Sequence, residues 1–319
     1  MGKIAFVFPG QGAQYVGMAK EFYDNCVESR NVFQQASKAA GFSIEEICFE
    51  ETNAGKSGRI HETRYTQPAL FTASCAILAA VQGAGIQAQM TAGLSLGEYN
   101  ALMAAGAIRL EDGVHIVCNR GIYMEEAVPE GYGGMTAIIS KKPLPAEEIC
   151  SNLNAEGIVT IANYNCPGQQ VISGEKEAVK KAAEKLLEAG AFRAVPLKVS
   201  GPFHSPLLKR AGEKLWFLLE HTKISVPSIA FVSNVTAQGV QNPEEIKNLL
   251  SKQVYSSVRW QQSVEYMIAN GTDIFIEIGP GKTLSNFIKK INANVSVFHV
   301  ETLEDLNQLK QNLKAIHVI

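Results

Sequence analysis

Residues 86–97 read IQAQMTAGLSLG, the pattern of a strand that enters a glycine-rich turn and then a helix. Apolar residues alternate from Ile86 to Ala92, which is the period of a β-strand with one buried face. The pentapeptide Gly93-Leu94-Ser95-Leu96-Gly97 follows directly, and a helix-like run continues to Ala107. A serine between glycines at this spacing is typical of a sharp strand-to-helix turn that exposes its hydroxyl. The same spacing also fits an ordinary turn in which Ser95 is a helix N-cap.

Predicted strands alternate with predicted helices at both ends of the chain. Lys3–Phe8 is an apolar run that ends at Pro9-Gly10-Gln11-Gly12, the pattern of a buried strand entering a tight loop. Pro68, with Thr66 as N-cap, predicts the start of a long helix. The alternation predicts an α/β fold, with a large α/β-hydrolase-like domain whose sheet is mostly parallel and covered by helices.

Between residues 131 and 199 the order of predicted elements changes. Strands at 135–140, 158–164, 170–173 and 192–199, with helices at 145–154 and 175–189, follow the ferredoxin-like order βαββαβ. We therefore expect a small ferredoxin-like subdomain at residues 130–199. It would be inserted into a large catalytic α/β subdomain formed by residues 1–129 and 200–319.

Composition excludes several classes of function. The chain has 319 residues, with 29 Lys and Arg against 31 Asp and Glu, which argues against a nucleic-acid partner bound by a global positive charge. Its six cysteines form no C-x-x-C pair, as expected in the reducing cytoplasm. No apolar run approaches the roughly 18 residues that cross a bilayer, so we expect no membrane partner.

A serine hydroxyl needs a base to act as a nucleophile, and histidine is the usual one. His204 lies in Gly201-Pro202-Phe203-His204-Ser205-Pro206, a rigid turn between the inserted unit and a new helix. Loops at such junctions often line clefts, so we predict His204 as the base; the alternative is an exposed histidine at a helix start. The remaining histidines fit surface positions better: His61, His115, His221, His299 and His317.

Five motifs, which follow one another along the chain, resemble those of a known family. They are Phe8–Gln14, Ser95–Tyr99, Arg120-Gly121 with Met124, Gly201–Pro206 and Glu277–Gly281. Together they resemble the malonyl-CoA:acyl carrier protein transacylases, the stand-alone relatives of the acyltransferase domains of fatty acid and polyketide synthases. The resemblance covers essentially the whole chain.

The resemblance implies a set of catalytic roles. Ser95 would be the nucleophile and His204 its general base and later general acid. The backbone N–H groups of Gln11 and Leu96 would form the oxyanion hole, where each donor matters strongly for rate. Gln253 stands at the position whose side-chain or backbone carbonyl orients the histidine in the family.

The resemblance also implies a substrate site. Arg120 would form a bidentate pair with the free carboxylate of a malonyl group, and Met124 lies four residues along the same helix face. Phe203 leaves little room beside the acyl α-carbon, which favours malonyl over methylmalonyl. Asn163 and Gln11 complete the predicted substrate contacts. The implied enzyme needs no metal and no bound cofactor.

The implied reaction is a ping-pong transfer from malonyl-CoA to the phosphopantetheine thiol of acyl carrier protein by a monomeric enzyme, supplying fatty acid biosynthesis. Leu94 departs from the family, which usually has histidine there. Leucine also occurs in free-standing acyltransferases that load polyketide synthases, so that role is an alternative. A serine hydrolase or thioesterase and a non-catalytic carrier-binding module are further alternatives. Arg120 argues against a hydrolase, and the joint presence of Ser95, His204, Arg120 and Gln11 argues against a binding module.

Carrier proteins are commonly acidic, so a basic surface near the cleft is expected. The candidates, chosen by position near loops and helices, are Arg193, Lys282, Lys289 and Lys290.

Overall fold

The computed structural model of the chain describes residues 2–50 and 58–316; His317 lies outside them. The strands are β1 (Lys3–Phe8), β2 (Met90–Gly93), β3 (Gly133–Ile139), β4 (Val159–Cys166), β5 (Gln169–Glu175), β6 (Arg193–Pro196), β7 (Ala230–Val232), β8 (Gly239–Val240), β9 (Thr272–Ile278) and β10 (Ser296–Val300).

The α-helices are α1 (Lys20–Asn25), α2 (Val27–Ala40), α3 (Ile44–Phe49), α4 (Thr63–Gly83), α5 (Gly97–Ala104), α6 (Leu110–Glu126), α7 (Ala146–Leu153), α8 (Lys176–Glu188), α9 (Lys209–Glu220), α10 (Pro243–Gln253), α11 (Trp260–Ala269), α12 (Thr283–Ile291) and α13 (Leu303–Ala315). Within the described ranges, no helix combines the length and the apolar character needed to cross a membrane.

The larger sheet has the strand order β10-β9-β1-β2-β7-β8. All its neighbouring strands pair in parallel except β8, which runs antiparallel to β7. The predicted α/β fold with a mostly parallel sheet is therefore confirmed. Because β1, β2, β7 and β9 are parallel, their carboxyl ends meet at one edge, where open α/β sheets place their ligand sites.

Strand β1 lies inside this sheet, between β9 and β2. Phe6 and Phe8 pack into the hydrophobic core on one face, and Ala5 and Val7 pack into the core on the other. A strand buried on both faces has no polar face to show, which explains the continuous apolar run in the sequence.

The smaller sheet has the order β4-β5-β3-β6, and all its pairings are antiparallel. Helices α7 and α8 pack against it around a separate core that includes Leu153, Ile172 and Leu186. Hydrogen bonds from Tyr164 N to Val258 O (2.9 Å) and from Val258 N to Ala162 O (2.7 Å) join β4 to the rest of the chain. The division into residues 130–199 and the remainder stays a prediction.

The start of α4 differs from the prediction. Thr66 was expected to cap a helix near Pro68, but α4 begins at Thr63 and contains Pro68. Thr66 instead donates its hydroxyl to the carbonyl of Ile60 at 2.6 Å. Proline's local preference for a first turn was outweighed by the burial of most residues of this helix. As a consequence, Thr63 and Gln67 belong to a helix that borders the site described below.

Helices α4 and α6 approach closely at Gly121. A Cβ atom built on Gly121 would lie 2.9 Å from Arg64 Cα and 3.0 Å from Thr63 O, both backbone atoms. Glycine therefore allows α6 to lie against the backbone of α4, and this contact places the neighbouring Arg120.

We predict that Gly121→Ala destabilises the protein by about 1–3 kcal/mol, because the added methyl must push two backbones apart. Gly83→Ala is the matched control, since it is also helical and a Cβ there would meet nothing within 4 Å. That control is expected to be neutral or to stabilise by up to about 1 kcal/mol. Urea unfolding midpoints of both variants test this, and equal midpoints would contradict the packing argument.

Candidate active site

Ser95 occupies the sharp turn between β2 and α5. Its φ angle is 54°, in the left-handed region that a serine adopts only when its surroundings hold it there. A Cβ on Gly93 would lie 1.9 Å from Gly97 C, and one on Gly97 would lie 2.2 Å from Phe8 O, so both glycines are required. Leu96, not Ser95, precedes the first residue of α5, and this corrects the N-cap interpretation of the serine.

The hydroxyl of Ser95 meets His204 across the cleft. Ser95 Oγ lies 2.7 Å from His204 Nε2, and His204 Nδ1 lies 2.8 Å from the backbone carbonyl of Gln253. A carbonyl oxygen can only accept, so Nδ1 carries the proton and Nε2 is free to accept from the serine. The imidazole is thus in the tautomer that a general base requires.

Burial and the nearby charge of Arg120 lower the pKa of His204 to about 4. The buried imidazole is therefore neutral at physiological pH. It can take the proton of Ser95 Oγ–H as this hydroxyl attacks an acyl carbon, because the O–H group becomes more acidic while the new C–O bond forms.

Arg120 projects from α6 into the same place and is only 1% exposed. Its Nη2 donates to Ser95 Oγ at 3.1 Å and to Gln253 Oε1 at 2.9 Å, and its Nη1 donates to Gln67 Oε1 at 2.8 Å. The Tyr99 ring lies 5.6 Å from its Cζ. Among the described atoms its buried Nε–H meets no acceptor at hydrogen-bond geometry, and the nearby Tyr99 side chain favours the charged form of the guanidinium.

A cleft of about 250 Å³ opens over these groups. Its lining residues include Gln11, Ser95, Arg120, Met124, Asn163, Phe203 and His204. The predicted substrate residues therefore share one cavity. Of the described residues that line it, Arg120 alone has a side chain that is charged at neutral pH.

The backbone N–H groups of Gln11 and Leu96 form no hydrogen bond with any described residue. The Gln11 side chain is held against α4, because its Nε2 donates to Thr63 Oγ1 at 3.0 Å. Unpaired N–H groups beside a nucleophile can donate hydrogen bonds that stabilise the negative charge developing on a substrate oxygen. Their role as an oxyanion hole remains a prediction.

Leu94, the departure from the family pattern, lines the cleft next to the first loop. A Cβ on Gly10 would lie 2.4 Å from Leu94 O and 2.9 Å from its Cδ2. Leucine at this position therefore packs against the loop that carries Gln11 and does not contribute a polar group.

Sequence reasoning missed the buried polar residues that hold this geometry in place. Asn234 accepts from Ser95 N at 2.7 Å, and Gln67 binds Arg120. Asn234 follows β7 at the carboxyl edge of the sheet, a position that could have pointed to it. Glu98 was quoted in a motif without a role, although an acidic residue in an apolar helix was a signal. Gln67 gave none.

The four basic residues predicted to form a surface for the carrier protein do not line the cleft. Arg193, Lys282, Lys289 and Lys290 are all exposed.

In the described part of the chain, no group of three or more His, Cys, Asp or Glu side chains is arranged to hold a metal ion.

Comparisons with known proteins agree with this geometry. The sequence model of the family described as "Acyl transferase domain" matches residues 5–317. A malonyl CoA-acyl carrier protein transacylase of Bacillus subtilis (strain 168) is 42% identical over 98% of this chain and 98% of its own length. The crystal structure of a malonyl CoA-acyl carrier protein transacylase from Clostridium perfringens is 46% identical, with a TM-score of 0.94 over 99% of this chain and 98% of that one.

A third similar structure is a malonyl-transacylase in complex with a type II polyketide synthase acyl-carrier protein. It is 37% identical, with a TM-score of 0.93 over 97% of this chain and 99% of that one. Whole-length similarity in both sequence and fold leaves one assignment: the chain belongs to the acyl transferase domain family, among the malonyl CoA-acyl carrier protein transacylases.

Proposed function

We propose that this protein transfers a malonyl group from malonyl-CoA to the phosphopantetheine thiol of an acyl carrier protein through an ester on Ser95. Ser95 Oγ attacks the thioester carbonyl while His204 Nε2 takes its proton, and the C–S bond breaks as His204 returns that proton to the departing thiolate. The carrier thiol then attacks the ester, and His204 repeats the exchange in reverse. In this mechanism the groups that act on the substrate are side chains and backbone N–H groups of the chain.

The observation that carries the proposal is the buried Arg120 beside the nucleophile. Its Nη2 is 3.1 Å from Ser95 Oγ, and its side chain is almost fully removed from water. A buried guanidinium is strongly stabilised by a carboxylate partner, and a malonyl group offers one close to its thioester carbon. A neutral fatty acyl group would offer this cation no carboxylate in the cleft, which disfavours a lipase-like hydrolase.

We further propose that the reaction takes place in the cytoplasm and supplies fatty acid biosynthesis. The named relatives with the highest identities quoted above are transacylases of acyl carrier protein. The similar malonyl-transacylase bound to a polyketide synthase carrier supports the alternative pathway for proteins of this kind. Loading rates measured with both types of carrier protein distinguish the two.

The first test is mass spectrometry of the protein after incubation with malonyl-CoA. Wild type is expected to carry a malonyl adduct on the peptide that contains Ser95, and added carrier protein is expected to remove it. Ser95→Ala is expected to carry none, and His204→Ala to form it at a rate lower by about 10² or more. An adduct that persists in Ser95→Ala would contradict the assignment of the nucleophile.

Arg120→Ala is predicted to reduce loading from malonyl-CoA by about 10² or more, because the substrate carboxylate would be buried without its partner. Loading from acetyl-CoA is expected to fall much less. Arg120→Lys, which keeps the charge but not the planar fork, is the control. Its rate of malonyl loading is expected to lie between those of the wild type and Arg120→Ala. Malonyl kinetics that are unchanged in Arg120→Ala would favour the hydrolase alternative.

The pH dependence of Ser95 acylation follows from the lowered pKa of His204. The neutral imidazole is the active form, so the rate constant is expected to fall only as the pH approaches about 4, not near the ordinary value of 6.5. Single-turnover kinetics with malonyl-CoA, with circular dichroism at each pH to confirm folding, measure this. An acid limb centred at or above 6.5 would show that the imidazole is more solvated than the structure indicates.

A further inference from the structure

Glu98 is a buried carboxylate that the proposed reaction does not use. It lies in the first turn of α5, three residues after Ser95, and is 1% exposed. Oε1 accepts from the backbone N–H of Asn234, and Oε2 accepts from Nε2 of Gln253. Both neighbours are donors, so the position requires acceptors on both sides, which only a carboxylate provides.

The two residues bound by Glu98 also hold the backbone of Ser95. The Oδ1 atom of Asn234 accepts from Ser95 N at 2.7 Å, and Nε2 of Gln253 donates to Ser95 O at 2.8 Å. The peptide groups before and after the strained serine are therefore fixed by the side chains of two residues that Glu98 binds, Asn234 through its backbone N–H and Gln253 through its side-chain amide.

Gln253 also connects Glu98 to Arg120. Its Nε2 faces Ser95 O and the Glu98 carboxylate, and its Oε1 accepts from Arg120 Nη2 at 2.9 Å. The amide orientation follows from these partners, because Ser95 O can only accept and a guanidinium can only donate. Turning the amide over would place two donors in contact on the Arg120 side.

The charges along this path are complementary. Burial raises the pKa of Glu98 to about 8, against the effects of the N–H groups of Asn234 and Gln253 and the charge of Arg120. Both carboxyl oxygens nevertheless accept from N–H donors, a geometry that fits the ionised form. Arg120 is fully buried as well, and the coulombic effect of Glu98 favours its charged form. Burial acts against the charge of each group, and the coulombic attraction between them across one amide opposes that effect.

We propose that Glu98 is a positioning residue for acyl-group selection: through Gln253 it fixes the Arg120 guanidinium where the carboxylate of the acyl group binds. The inference rests on the proposed function. It predicts that Glu98 affects the preference for a carboxylated acyl group, and not only the stability of the serine turn.

The test is Glu98→Gln, which is close in size and shape to the native side chain. Asn234 N–H and Gln253 Nε2 are both donors, so the new amide must turn its own NH₂ group towards one of them. An NH₂ group turned towards Gln253 displaces its amide and with it Arg120, whereas one turned towards Asn234 disturbs the serine turn. The proposal requires the first orientation. The ratio of kcat/KM for Ser95 loading from malonyl-CoA to that from acetyl-CoA is expected to fall about tenfold or more.

Ser29→Ala is the matched control. Ser29 donates to Ala76 O at 2.7 Å, a buried hydrogen bond between α2 and α4, and it is not among the residues that line the cleft. This variant loses a buried hydrogen bond but is expected to keep the wild-type ratio. Glu98→Asp, which keeps the charge but is too short to reach both donors, is the second variant if Glu98→Gln does not fold. Its ratio is also expected to fall.

Several outcomes would overturn the inference. A wild-type ratio in either Glu98 variant would do so, as would an equal loss for both acyl groups, which would confine the effect to the serine turn. A ratio that rises would show that Glu98 acts only as a competing charge for Arg120. A wild-type enzyme that loads acetyl at least as well as malonyl would instead overturn the proposed function itself.

Discussion

The left-handed backbone of Ser95 governs how the surrounding groups of the site are arranged. A serine at φ 54° is strained by roughly 1–3 kcal/mol, so other contacts must hold it. Gly93 and Gly97 allow the chain to close tightly around it, and Asn234 and Gln253 bind its flanking peptide groups. The strained turn directs Oγ out of the sheet edge. There it lies at hydrogen-bond distance from a histidine that belongs to a separate segment of the chain.

The second constraint is electrostatic and centres on Arg120. A buried guanidinium must be surrounded by acceptors, and here Gln67, Gln253 and Ser95 provide them. Its charge, together with burial, keeps His204 neutral. One side chain thereby connects both halves of the proposed chemistry, since it offers a partner to a substrate carboxylate and also keeps the imidazole ready to accept a proton.

Much of the fold could be predicted from periodicity and turn residues. Strand β1 has the bounds expected from the sequence, because an apolar run that ends at Pro-Gly marks its own limit. The prediction was wrong at the start of α4, where burial outweighed the local preference of Pro68. Helix α3 had no predicted counterpart, since Ile44–Phe49 is too short to show a period.

Local sequence patterns predicted most of the strands and helices in order, the glycine-flanked serine turn and the residue types available for chemistry, because these depend on neighbours along the chain. Which polar groups meet depends on the tertiary fold. Asn234 binds Ser95 across 139 residues, and Gln253 binds Glu98 across 155. Such contacts arise because parallel strands bring the loops at their carboxyl ends to one edge, and no local pattern records which side chains will face each other there.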